Sequence, residues 1–247
     1  MLIHGIGGSW QIWAPVLRRL VTCRDVILVD LPGYGASART VQGAGAPALA
    51  DGLEGLLDSL RLETVHVAGN SMGGWIALEL ASRGRARTVT VLSPAGFYNA
   101  VEAVFTRISL QVSVRMARLL APRAARVFAS VLCRSVLFAQ CMGRPWRLST
   151  DEAAAITQAF AESPYFEADL AAITGNRFAG GADIRVPVTV GWGRRDRLLP
   201  PWQGRRAMRE IPAARLVSLP GVGHIPTYDD PDLVADLLLR GSDRSVR

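Results

Sequence analysis

The chain contains no lysine. All 28 basic residues are arginine against 21 acidic ones, which leaves a net charge of +7. Arginine suits phosphate and nucleic-acid contacts. Here the arginines are dispersed, and no helix-turn-helix, zinc-finger or aromatic RNA-binding pattern accompanies them. A nucleic-acid partner is therefore not expected, and codon preference in a GC-rich genome accounts for the bias. Apolar runs never approach the ~18 residues of a membrane-spanning helix, so stable membrane insertion is not expected. The N-terminus has no basic segment followed by an apolar one, as a signal peptide requires. Cysteine is scarce: Cys23, Cys133 and Cys141 form no CxxC pair. Reduced, buried thiols in a cytoplasmic compartment are the expectation. There are no internal repeats or low-complexity tracts, and no cofactor or metal site is expected.

What is present is enough apolar material for a sizeable core: 247 residues, 49% of them hydrophobic. Short apolar runs alternate with helical patterns. Strands are expected at "MLIH", "DVILVD" (25–30), "TVHVAG" (64–69), "TVTVLS" (88–93), "VPVTVGW" (186–192) and "ARLVSLP" (214–220). Helices are expected at 10–21, 46–60, from Ser71 onward, and at about 230–240. Repeated βα units imply a mostly parallel sheet with helices on both faces. The alternation stops between 97 and 180, where only helical patterns occur. The expected organisation is a core of residues 1–96 and 181–240, a helical insertion at 97–180 and a disordered tail at 241–247. Within the insertion, Arg107, Arg115 and Arg118 share one helix face, with Gln111 between them. Val104, Ile108, Val112 and Met116 line another, expected to pack on the host domain rather than lie on a membrane.

The stretch "VAGNSMGG" (67–74) carries the chemistry. Gly69-Asn70-Ser71-Met72-Gly73 matches G-x-S-x-G between a strand and a helix, the context of a nucleophile elbow. A serine at strained backbone angles needs neighbours without side chains two residues away. Its hydroxyl then sits at a helix N-terminus, where amides favour developing negative charge.

A serine also needs a base, and only three histidines are available. His66 lies inside the strand leading to Ser71, as a packed residue would. His4 is placed to brace the loop after the first strand. That leaves His224, in "PGVGHIPTYDDP", as the base. Its carboxylate partner is expected to be Asp196, in "GWGRRDRLLP", which emerges on the same sheet edge as Ser71 and His224. The rivals fit less well. Asp30 is placed to brace a turn, Asp183 precedes its strand on the opposite edge, and Asp229 is placed to start the last helix. Oxyanion stabilisation requires amides. Met72 offers one and the "HGIGGS" loop another, from Ile6 with Gly7 as the alternative.

With these motifs in hand, the sequence resembles the α/β-hydrolase superfamily over nearly its whole length. The likeness is carried by "HGIGGS", "DLPGYGAS", "GNSMGG", "GWGRRDRLLP" and "GVGHIPTYDDP". The resemblance implies an α/β-hydrolase fold, a catalytic triad of Ser71, Asp196 and His224, and a cap formed by 97–180. The implied function is a serine hydrolase cleaving an ester, thioester or similar acyl bond of a small, hydrophobic substrate. The aromatic residues Phe97, Tyr98, Phe105, Phe128 and Phe138 of the insertion bear on that hydrophobicity, although most are expected in the core.

"GNSMGG" is also similar to the elbow of meta-cleavage-product hydrolases, which makes C–C hydrolysis of ring-fission products the alternative. Against it stand the "GIGGS" loop and Ile225 after the histidine, where those enzymes have a "GPGA"-like loop and tryptophan. Serine at the elbow disfavours epoxide hydrolases and haloalkane dehalogenases, which use aspartate there. A non-catalytic ligand-binding protein is the alternative from a different class. Superfamily members carry strands before the "HG" loop. Here the sequence starts at "MLIH", the strand that leads into that loop, so the strand at 25–30 is expected to be an association-prone sheet edge.

Overall fold

The structure is a computed structural model and describes residues 1–243. Six strands form a single sheet in the order β2-β1-β3-β4-β5-β6. They are β1 (Leu2–Ile3), β2 (Leu28–Val29), β3 (Val65–Asn70), β4 (Ala86–Leu92), β5 (Val188–Gly193) and β6 (Ala214–Leu219). Every pairing is parallel, with Leu2 opposite both Leu28 and Ala68, and Val91 opposite Val190. All six coincide with the runs read as strands, with ends that differ by at most a few residues, as where β4 starts at Ala86 and β5 runs on to Gly193, and β2 is at the edge as expected.

Eleven α-helices accompany the strands among the described residues. In the core they are α1 (Ala14–Leu20), α2 (Ala46–Ser59), α3 (Met72–Ser82), α9 (Gly204–Glu210), α10 (Pro226–Asp229) and α11 (Pro231–Gly241). Between β4 and β5 lie α4 (Ala100–Leu120), α5 (Ala124–Phe128), α6 (Val131–Leu137), α7 (Thr150–Ala161) and α8 (Phe166–Gly175).

Side chains on a strand alternate between faces, so strands covered on both sides read as unbroken apolar runs. Val67, Val89, Val91 and Val190 join Leu49, Leu53 and Leu57 of α2 and Ile76 and Leu80 of α3 in one core layer. Their neighbours Leu2, Ala68 and Leu92 join Val16 and Leu20 of α1 and Val234 and Leu238 of α11 on the opposite face. A smaller third cluster, including Phe128, Met142, Leu148 and Ala153, holds the helical block together. Two of its helices start in capping boxes, Asn99 with Glu102 and Ser149 with Glu152, which satisfy orphan amides reciprocally.

Asp169 fixes the helical block to the core. Its carboxylate, fully buried on α8, accepts from the Tyr34 hydroxyl at 2.7 Å, both terminal nitrogens of Arg39 at 3.0 Å and the Gly45 amide at 2.8 Å. Burial and the adjacent carboxylate push the Tyr34 phenol far above its ordinary range, so it stays a donor.

The structure corrects three expectations. The stripe Val104, Ile108, Val112 and Met116 does not pack on the core: these side chains are 57, 56, 53 and 41% exposed. The buried face of α4 is instead Ala103, Thr106, Leu110, Val114 and Ala117. Because a helix advances by ~100° per residue, Ile108 and Leu110 point to opposite sides. Of the cysteines, Cys23 is exposed and Cys133 and Cys141 are only partly buried, all three unpaired. Lastly, α11 continues through Gly241; the remainder of the tail read as disordered, from residue 244, lies outside the described residues.

Removing one partner of a buried, hydrogen-bonded ion pair leaves the other charge uncompensated, at a cost of about 3–5 kcal/mol. Asp169→Ala is expected to lower stability to urea by about that amount. The double variant Arg39→Met/Asp169→Leu should recover part of the loss. Equal stability of Asp169→Ala and the wild type would show that this cluster does not hold the helical block.

Candidate active site

Ser71 stands between the end of β3 and the first turn of α3, at φ 57° and ψ −120°. That conformation is unfavourable for a residue with a side chain and persists only where its surroundings over-determine it. They do so here. The Ser71 amide donates to the Leu92 carbonyl at 3.0 Å, and its own carbonyl accepts from Gly74, Trp75 and Ala95 at 3.0, 3.2 and 3.0 Å. A Cβ at Gly69 would overlap the Gly73 carbonyl, and one at Gly73 would overlap the carbonyls of Ile3 and His4. The two glycines are therefore demanded by backbone packing on both sides of the serine.

Asn70 ties the His224 loop to this turn. Its side-chain amide donates to the carbonyls of Leu92 at 3.0 Å and His224 at 2.8 Å, which fixes the histidine loop beside the elbow. The His224 ring is buried, and its Nδ1 lies 2.8 Å from Asp196 Oδ2. The other carboxylate oxygen of Asp196 accepts from the Leu198 and Leu199 amides at 3.0 and 2.8 Å. A carboxylate only accepts, so it holds Nδ1 as the donor and leaves Nε2 as the nitrogen open to other partners.

The "HGIGGS" loop runs against the elbow. A Cβ at Gly5 would stand 3.1 Å from the Ser71 Cβ. Among the described residues, the amides of Ile6, Gly7 and Met72 make no hydrogen bond. Gly7 has φ +68°, and the Phe160 ring of α7 occupies the space a side chain there would need. The helical block thus reaches down onto this loop.

The other candidates have different work. His4 is fully buried, with Nδ1 2.7 Å from the Gly5 carbonyl and Nε2 accepting from the Leu31 amide at 3.0 Å. It braces the loop as a neutral ring, its pKa lowered by burial to about 4. His66 Nδ1 lies 2.8 Å from the Thr88 hydroxyl on the neighbouring strand. Asp30 accepts from the Trp10 and Ala36 amides at 2.9 and 3.0 Å, bracing its turn. Asp183 is exposed in a short turn preceding β5.

Asp229 departs from its expected role, because Asp230 caps α11 through the Leu233 amide. The Asp229 carboxylate instead accepts from the amides of Gly143, Arg144 and Gly223 at 2.8, 2.6 and 2.7 Å. It joins the helical block to the residue before His224. Asn70, Asp229 and Phe160 are the contributors that sequence reasoning missed. Asn70 stood inside the quoted elbow and Asp229 five residues after the histidine, but nothing in spacing announces that either bridges two segments.

Among the insertion's aromatic residues, Phe97, Tyr98 and Phe128 are core, while Phe105 is exposed. Cys141 lies near the acid, and burial with the Asp196 charge pushes its thiol up to about 12, so it is not a thiolate. A cleft of about 830 Å³ opens beside the acid loop, lined among others by Met142, Trp146, Arg194, Arg197 and Trp202. It touches Asp196 but neither Ser71 nor His224, so it is a neighbour of the site rather than the site.

An all-parallel sheet presenting a strand–serine–helix turn, with a histidine–carboxylate pair on the same edge, defines an α/β-hydrolase-fold enzyme. The chain belongs to the alpha/beta hydrolase family, whose model matches residues 1–237. It is 34% identical over 199 residues to the epoxide hydrolase EphH of Mycobacterium tuberculosis, covering 77% of this chain and 91% of that one. It is 28% identical over 243 residues to the dihydrolipoyllysine-residue acetyltransferase component of the acetoin cleaving system of Pseudomonas putida. That match takes in 97% of this chain and 62% of the relative, so the chain spans well under the full length of that protein. Among solved structures, a thermophilic esterase from Thermogutta terrifontis superposes with a TM-score of 0.71 at 24% identity, covering 97% of this chain and 87% of that one.

His4 provides a pH test of the loop. As pH falls through 6.5 the unfolded chain takes up a proton on this residue, while the folded protein refuses it until about pH 4. Stability from this group is therefore complete above pH 6.5 and falls by about 3 kcal/mol on the way to pH 4. Urea unfolding across that range should show the loss, and His4→Gln should flatten it. An unchanged pH slope in the variant would contradict a buried neutral His4.

Proposed function

We propose that this protein is a serine hydrolase that cleaves an ester, thioester or related acyl bond of a small hydrophobic substrate through an acyl-enzyme. The carrying observation is the His224 Nδ1–Asp196 Oδ2 pair at 2.8 Å, held by Asn70 against the elbow that presents Ser71. With Nδ1 engaged by the acid, Nε2 takes the Ser71 hydroxyl proton as Oγ attacks the substrate carbonyl carbon. The tetrahedral oxyanion is held by the Met72 amide and the Ile6 amide, or that of Gly7. His224 then protonates the leaving group as its bond to the acyl carbon breaks. Water, deprotonated by the same nitrogen, releases the acid and restores Ser71.

Residues 97–180 act as a cap in this reading, with Phe160 over the oxyanion loop supplying an apolar wall. One relative is named an epoxide hydrolase. Opening an epoxide with a carboxylate nucleophile would require an acid where this chain has Ser71, and this favours acyl chemistry.

Ser71→Ala should remove turnover of p-nitrophenyl esters while leaving thermal unfolding unchanged, because only a hydroxyl is lost. Asp196→Asn should lower turnover by up to about 10⁴-fold by favouring the wrong imidazole tautomer. Wild-type turnover in Ser71→Ala would sink the assignment. Ring-fission products belong in the same panel, since turnover of those alone would replace the acyl reading with C–C hydrolysis.

A further inference from the structure

The helical block is apolar on its outer surface as well as its inner one. Twelve of the seventeen large hydrophobic side chains exposed among the described residues lie between Val101 and Trp146. On α4 they follow helical spacing. Val101, Val104, Ile108, Val112 and Leu119 fall on the side opposite the buried face of Ala103, Leu110, Val114 and Ala117. The outer surface of α6 repeats the pattern with Val131, Leu132 and Val136. The Gln140 side chain, just past α6, hydrogen-bonds the Ser109 hydroxyl at mid-α4, so the two apolar surfaces are neighbours. Isolated exposed apolar residues are ordinary, but a run of this extent marks an interaction surface.

The charge around the surface identifies what it fits. From Ala103 to Thr150 the chain has eight arginines and no aspartate or glutamate. Some of these are engaged: Arg134 is buried on backbone carbonyls, Arg118 lies 3.8 Å from Glu167, and Arg144 lies 3.1 Å from Asp230. Arg107, Arg115, Arg123 and Arg126 are exposed and, among the described residues, pair with no carboxylate. On α4, Arg115 lies within the stripe and Arg107 to one side of it, and the other two follow past the helix end.

A second copy of this chain docking the same face would set these arginines against their own counterparts, a like-charge contact that costs association energy. An anionic bilayer offers negative headgroups and a hydrocarbon boundary at adjoining depths. A basic helix with an outward apolar stripe matches both.

We propose that the outer face of α4 and α6 docks this protein peripherally on anionic membrane surfaces. No helix among the described residues is long and apolar enough to cross a membrane, so the contact lies in the interface plane. The inference is independent of the acyl chemistry, because none of these residues belongs to the Ser71 site. It does supply a source of hydrophobic substrate if that chemistry holds.

The test is flotation of the full chain with vesicles of equimolar phosphatidylglycerol and phosphatidylcholine, against vesicles of phosphatidylcholine alone. Binding to the anionic vesicles is expected, weaker by about tenfold or more on neutral ones, and falling as salt rises from about 0.1 to about 0.5 M. Ile108→Glu/Val112→Glu should lose about tenfold or more in binding. Both positions face outward, so its thermal unfolding and its p-nitrophenyl ester turnover should match the wild type. Ser71→Ala should bind vesicles like the wild type, which separates failure of docking from failure of the proposed chemistry. Absence of binding to anionic vesicles would overturn the proposal, as would equal binding to neutral ones or binding unaffected by the double substitution. A dimer in solution that the same double substitution dissociates, without vesicle binding, would assign the face to a second copy instead.

Discussion

The rest of the site depends on one turn of backbone. Ser71 at φ 57° joins the central strand β3 to α3, and four backbone hydrogen bonds involving its own amide and carbonyl keep it there. The bend brings the Gly69 and Gly73 backbones too close for any side chain, and Gly73 packs against the carbonyls that lead into the "HGIGGS" loop. Strain held in this way costs of order 1–3 kcal/mol and is stable only because the sheet and helix on either side are fully packed. Once the turn exists, the proposed nucleophile and the amides beside it occupy fixed positions.

Polar ties radiate from that turn to distant parts of the chain. Asn70 holds the carbonyl of His224, Asp196 holds its ring, and Asp229 holds the amide of Gly223 just before it. Through the same Asp229 carboxylate, the backbone of Gly143 and Arg144 in the helical block is bound to the histidine loop. At the other end of the block, Asp169 joins α8 to Tyr34, Arg39 and the Gly45 amide. Both anchors are buried carboxylates with several donors each, a geometry that specifies one arrangement because leaving any donor unpaired is costly. The block is thus held over the "HGIGGS" loop at two ends, with Phe160 between them against Gly7.

The strands were legible because a parallel sheet buried on both faces leaves uninterrupted apolar runs such as "TVTVLS" and "VPVTVGW". The elbow was legible because its glycines answer to steric need. The pairing of His224 with Asp196 was legible from elimination among three histidines and from the aspartate's place at a strand end. Long-range polar bridges were not legible: Asp229, two residues before Pro231, reads as a helix start, and only the folded backbone reveals its three amide donors. The outer stripe of α4 misled for a different reason. Helical periodicity identifies an apolar face but not what covers it, and α4 has two such faces, the more strongly apolar one turned outward.

The central claim is that Ser71 is an activated nucleophile, and covalent trapping addresses it most directly. Treatment of the purified protein with a fluorophosphonate, followed by peptide mass spectrometry, should place a single adduct on the peptide containing Ser71. The His224→Ala variant should label far more slowly, because the hydroxyl then lacks its base. An unlabelled wild-type protein, or an adduct on a different residue, would contradict the account.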